Sequence, residues 1–243
     1  MGAPGVLGAI LLAGILAGCA TPTPQSAPPA RGQAPAPRVV PAALRGQPFT
    51  VVADESHLTI LVYRAGALAA LEHNHVVSCR CLSGTVYVPR DPLRAGFDLR
   101  VVVAGLTVDD PVLRAAEHSR DFPPDGSSSA RQGTRHNMLS AALLNAAAYP
   151  DIRLRSERLR QASDGRRGDL VAEVLVEAAG QSRSIAVPLH YDIGSDEIRV
   201  TAAFPLKQTE LGLTPFSAAG GALKVRDGMT VRLSLLARRV PHR

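Results

Sequence analysis

The stretch "LEHNHVVSCRC", Leu71 to Cys81, carries two histidines and two cysteines within eleven residues, the residue types that hold transition metals. Side chains alternate along a strand, so an extended reading puts His73, His75, Val77, Cys79 and Cys81 on one face. At a rise of about 3.3 Å per residue, His75 and Cys79 lie about 13 Å apart, and all four donors cannot meet at one ion without a bulge. His73 and His75 alone supply two ligands of a three-ligand site, with His57, His118 or His136 as the third. The structural alternative makes Cys79 and Cys81 small apolar wall residues and gives the histidines local hydrogen bonds. The sequence favours this structural reading and no metal. A Cys79–Cys81 disulfide is disfavoured, because alternate strand residues sit near the upper limit of Cα separation; an oxidising compartment would permit it.

Other chemistry is thin. No G-x-S-x-G elbow or phosphate-cradling loop is present. Asp109 and Asp110 precede "PVLRAAE" and read as helix caps. Glu173 and Glu177 fall on the polar side of a strand, and Arg238 and Arg239 read as surface charges. The protein is expected not to be an enzyme.

The elements that would position these residues are mostly strands. "FTVVAD", "HLTILVYRAG", "HVVSCRCLSGTVYVP", "FDLRVVVAGLTV" and five later segments are β-branched or alternating. Leu170, Ala172, Val174 and Val176 share one face, as do Ile198, Val200, Ala202 and Phe204. One buried and one wet face is the pattern of antiparallel sheets, and eight or nine strands joined by short turns favour an all-β barrel or sandwich. Two short helices interrupt. One follows Asp109–Asp110, and the other is capped by Thr134 and carries Met138, Leu139, Ala142, Leu143 and Ala146 at helical spacing. Between them Ser119 to Gly133 reads as a long polar loop, either a lid or a mobile connection.

Ahead of the strands, the apolar run Val6–Leu16 ends in Leu16-Ala17-Gly18-Cys19. It has the length of an export-signal core, and its ending resembles a bacterial lipobox, implying cleavage before Cys19 and lipidation there. No Lys or Arg precedes the run, which points to an upstream start codon or an atypical signal. A Pro/Ala-rich stretch follows that lacks the bulky apolar surface to pack. The expected organisation is a lipoprotein signal peptide over 1–18, a lipidated Cys and disordered tether over 19–46, and a globular domain over 47–240. Net charge is +6, from 27 Lys+Arg against 21 Asp+Glu, with 4% aromatics. Basic residues this diffuse argue against nucleic acid and for weak attraction to anionic membrane surfaces.

The segments "FTVVADESHLTILVYRAG", "RHNMLSAALLNAAAYPDIRLRS", "LVEAAGQSRSIAVPLHY", "AAFPLKQTELGL" and "VRLSLLAR", in this order, resemble the YceI-like family of bacterial exported proteins from about Phe49 to Arg239. The resemblance implies a lipocalin-like antiparallel β-barrel of about eight strands. Its interior would hold an amphiphilic lipid such as a polyisoprenoid or isoprenoid quinone, with no other cofactor. Leu170, Ala172, Val174, Val176, Ile198, Val200, Ala202 and Phe204 are the candidate tunnel lining. Two features depart from typical members: the His-Asn-His segment, and the enlarged loop from Ser119 to Gly133. The expected function is lipid binding without catalysis in the bacterial cell envelope. The protein would face the periplasm and be anchored through Cys19, with the outer membrane favoured because Ala20 is not an acidic retention residue. A homodimer stays open. The competing reading is a metal- or haem-handling periplasmic protein using His73 and His75.

Overall fold

The computed structural model describes residues 44–240 except 72, 124–126, 164, 165 and 167; the expectations for the leader, for Cys19 and for most of the tether lie outside the described residues. The strands are β1 (Gln47–Val51), β2 (His57–Ala65), β3 (His75–Cys79), β4 (Leu82–Val88), β5 (Gly96–Val102), β6 (Thr107–Val108), β7 (Asp151–Gln161), β8 (Asp169–Ala178), β9 (Gln181–Ile193), β10 (Glu197–Lys207), β11 (Ser217–Ala218) and β12 (Leu223–Arg239). Helices α1 (Pro111–Ala116) and α2 (Ser128–Leu139) lie between β6 and β7.

Pairing runs β1-β4-β5-β7-β8-β9-β10-β12 and returns from β12 to β1, closing an eight-stranded antiparallel barrel. The closing register is Phe49 opposite Arg239 and Val51 opposite Ala237. β2, β3 and β6 continue from β12 in the same way, with β2 along Lys224–Ser234, β3 on β2 and β6 on β3. Three wall positions are therefore each built from two strands with a break between them: β1 and β2, β3 and β4, β5 and β6. Closure removes the free edges that an open sheet would present.

The breaks are made locally. A 3-10 turn at Ala53–Glu55 separates β1 from β2, and Ser56, fully buried, fills the gap. Its hydroxyl donates to Val52 O (2.8 Å) and accepts from Leu236 N (3.1 Å), standing in for the ladder bond lost at the turn. Ser56→Ala removes the acceptor of the Leu236 amide, while Val52 O keeps the Glu55 amide (3.2 Å), at an expected cost of about 1–3 kcal/mol. Urea unfolding of the variant, with an unchanged m-value, would measure it; no shift in midpoint would show that water replaces the hydroxyl.

The second break corrects the reading of Leu71–Cys81 as one strand. β3 spans only His75–Cys79, the chain bends at Arg80, and β4 starts at Leu82. The bend brings the Cys79 and Cys81 Cα atoms to 5.2 Å, and the two are joined in a disulfide, against the expectation that extended geometry would keep them apart. Gly105, in the third break, packs against this bridge: a Cβ there would lie 2.6 Å from that of Cys81, closer than any side chain tolerates.

Inside the barrel, alternation holds as the sequence pattern predicts. Along β8, Leu170, Ala172, Val174, Val176 and Ala178 are buried while the residues between them are half-exposed. The helices differ in detail. Asp110 caps α1, accepting from Val112 N (2.9 Å) and Leu113 N (3.2 Å). α2 starts inside the expected polar loop, because Ser127 caps it by accepting from Ala130 N (3.1 Å). Thr134 is thus a mid-helix residue, and the chain leaves the helix at Ser140, so Ala142, Leu143 and Ala146 follow it in turns. Arg135 ties α2 to the third break, donating to Leu106 O (3.0 Å) and Ala104 O (2.6 Å).

Candidate functional site

The barrel interior holds two adjoining cavities. One, of about 220 Å³, is lined from all sides of the wall by aliphatic and aromatic residues with no charged side chain. Of the expected lining set, Leu170, Val174, Val176, Ile198, Val200, Ala202 and Phe204 face it. Ala172 shares their face and is fully buried, but its methyl is packed among neighbours and does not reach the cavity. The second cavity, of about 410 Å³, falls within the roughly 300–1,000 Å³ of small-molecule sites. Leu58, Ile60, Ile152, Val176, Leu211 and Met229 line both, so the two are neighbours along one tunnel.

Polar groups collect at the far end of the second cavity. Arg64, His73, His75, Gln208 and Lys224 line it together with Thr134 and Asn137 of α2. The enlarged segment after α1 thus supplies one wall of the tunnel's polar end, a role that alternation patterns in the strands cannot reveal.

His73 and His75 sit with ring centroids 4.8 Å apart, and the third group beside them is Asp109. His57, His118 and His136, the expected third ligands, are not part of this cluster. His75 Nδ1 lies 2.7 Å from Asp109 Oδ2, and His73 Nε2 lies 3.7 Å from the same oxygen. Asp109 is not a helix cap, which corrects the reading given to it; Asp110 alone does that work. β6 pairs with β3 through Val77–Val108, and Asp109 continues the contact in the left-handed region (φ 55°). Its backbone N donates to Val76 O (2.8 Å) and its Oδ1 accepts from Val76 N (2.9 Å). Such a conformation suits Asp better than most residues.

Arg114, one turn into α1 and only 1% exposed, completes the group. It donates to Asp109 Oδ1 (2.5 Å), Asn74 O (2.6 Å) and Pro123 O (2.6 Å). Burial by itself would raise the Asp109 carboxyl; the His75 hydrogen bond, the Val76 amide, the His75 charge and the Arg114 guanidinium outweigh it and hold the group below the ordinary carboxylate value. The carboxylate is ionised at neutral pH, so the His75 nitrogen facing it carries the proton.

A closed antiparallel barrel around an apolar tunnel, with a domain match to the YceI-like description over residues 50–237, settles the relationship. The chain belongs to the YceI-like family. Solved structures share its fold. BcnA of Burkholderia cenocepacia superposes with a TM-score of 0.55 at 12% identity, covering 77% of this chain and 99% of that one. A polyisoprenoid binding domain from Saccharophagus degradans, implicated in plant cell wall breakdown, gives a TM-score of 0.50 at 12% identity, covering 79% of this chain and 98% of that one. No curated protein matches this chain. Among YceI-like barrels, identities this low fix the architecture alone, so the tunnel's specificity must be read from its own residues.

Proposed function

We propose that this YceI-like barrel holds an amphiphilic isoprenoid-type lipid, a polyisoprenoid or an isoprenoid quinone, in its interior without a chemical step. The observation that carries this reading is the tunnel's asymmetry. One cavity is wholly apolar, and the adjoining one ends in Arg64, His73, His75, Gln208 and Lys224. A long apolar tail fits the first, and a polar head fits the far end of the second. Burying the tail would stabilise the complex by about 0.8 kcal/mol per methylene, so affinity grows with tail length, while the few polar groups set orientation.

On this reading the Leu16-Ala17-Gly18-Cys19 sequence anchors the protein through a lipidated Cys19. The tether carries the barrel on the periplasmic side of the bacterial envelope, with the outer membrane favoured. Cys79 and Cys81, bridged, suit an oxidising compartment.

The test is to express the full chain with export in a bacterial host, purify it in mild detergent, and analyse the organic extract by mass spectrometry. A prenylated lipid in near-equimolar amount is expected, above the level carried by an unrelated lipoprotein treated in parallel. An extract indistinguishable from that control would overturn the proposal.

A further inference from the structure

We propose that His73, His75 and Asp109 form a binding site for one divalent transition-metal ion of the Zn(II) class, with an open coordination position facing the tunnel. The proposal does not depend on which lipid, if any, occupies the barrel.

Residue types come first. Two imidazoles and one carboxylate are a common three-ligand set for zinc and its neighbours, leaving a fourth position for an exogenous group. Among the described residues this is the single set of three such donors that converges, with one donor atom from each within 4.8 Å of the others. In a tetrahedral site with bonds of 2.0–2.1 Å, donors stand about 3.3 Å apart. The observed 2.7 Å and 3.7 Å contacts to Asp109 Oδ2 straddle that value. The remaining edge closes by a shift on the order of 1 Å in His73, the most exposed of the three side chains at 36% and placed just before the start of β3.

The carboxylate is already aimed. Oδ1 is engaged by Val76 N and Arg114, and Arg114 is itself fixed by two backbone carbonyls. These contacts point Oδ2 at the two rings. An ion binding there would replace the proton that now bridges His75 Nδ1 and Oδ2, opening that contact by a few tenths of an ångström and releasing the proton. Such outer partners of a ligating carboxylate or imidazole are typical of built sites. The buried guanidinium also neutralises part of the carboxylate's charge, so the affinity will be below that of a site with a second acid. Both histidines line the second cavity, which places the open position where a polar head or water can reach it.

The experiment uses the full chain, stripped with chelator, and titrates it with Zn(II) by calorimetry and with Co(II) by visible absorption. One equivalent is expected to bind, with the intense d–d bands of a four- or five-coordinate Co(II). His73→Ala should weaken binding at least tenfold with an unchanged far-UV spectrum. His75→Ala should do the same, and His190→Ala, which alters the separate pair with Asp169, should bind as the parent does. His73 is half-exposed and outside any strand, so its variant decides the matter even if the His75 variant misfolds. No saturable binding near one equivalent, or equal affinity in the parent and His73→Ala, overturns the proposal. Extracting the His73→Ala protein for lipid separates the two readings, because loss of metal with lipid retained leaves the lipid proposal standing.

Discussion

Val176→Trp is expected to empty the barrel of lipid while leaving it folded. Val176 lines both cavities and is buried on β8, so an indole there stands across the passage between them. Excluding even about four carbons of a tail removes about 3 kcal/mol of burial, which is over a hundredfold in affinity. Overpacking a dense core costs about 1–3 kcal/mol, but here the added ring enters existing space, so thermal stability should change little. Thr201→Trp, on the outward, exposed side of β10, is the control and should keep its lipid. Organic extraction and mass spectrometry of the two variants make the comparison. A Val176→Trp protein that still carries equimolar lipid would place the ligand outside the tunnel.

Arg114→Ala should be the most destabilising single change in the segment between β6 and β7. Truncation leaves the ionised Asp109 buried, at 3% exposure, and also strands the carbonyls of Asn74 and Pro123. Breaking a buried pair in this way costs about 3–5 kcal/mol, a large share of the stability of a typical domain. The same cluster gives the protein an acid-sensitive component. Because the folded Asp109 carboxyl titrates below its unfolded value, its contribution is fully present above about pH 4 and is lost as pH falls through the depressed folded value. Urea midpoints compared between pH 6 and pH 3 should fall more steeply in the parent than in Asp109→Asn. Parallel curves would mean that Asp109 is not the group responsible.

The wall of the barrel was legible in the sequence because each strand reports its own burial. The period-two pattern of β8 and β10 identified the inward residues, and seven of the eight reached the cavity; Ala172 did not, since parity gives direction and not reach. The breaks were not legible. Nothing in "SCRC" separates a continuous strand from one that bends at Arg80, because the groups that meet the bend, Asp54 O at Arg80 and Gly105 at Cys81, lie in the breaks at Ala53–Glu55 and Val103–Gly105, distant in the chain. Thr134 lies seven residues after the observed cap Ser127 and is as competent a cap by chemistry, so the sequence does not fix where α2 starts. The role of Asp109 is not legible beside a helix start, since its partners His75 and Arg114 are brought together only by the β3–β6 pairing. One trace was present in the sequence: "VDDP" offers two acids where a helix start needs one, and the surplus acid is the one that went inside.

The split wall position formed by β1 and β2 has a consequence for how the protein is made. Both segments, the first strands of the described residues, pair on one side with β4 or β3 and on the other with β12, the last of the described strands, and β12 spans seventeen residues with β10 along its other side. During synthesis one side of each of these segments waits for a strand that emerges only after β3 to β11, so the ring cannot close until β12 has been made. Pairings this distant in sequence fold slowly, and until they form, the tunnel's apolar lining is open to solvent. A nascent chain of this kind depends on being shielded until β12 arrives, and a stop codon that removes β12 yields an open sheet with no enclosed space in which to hold anything.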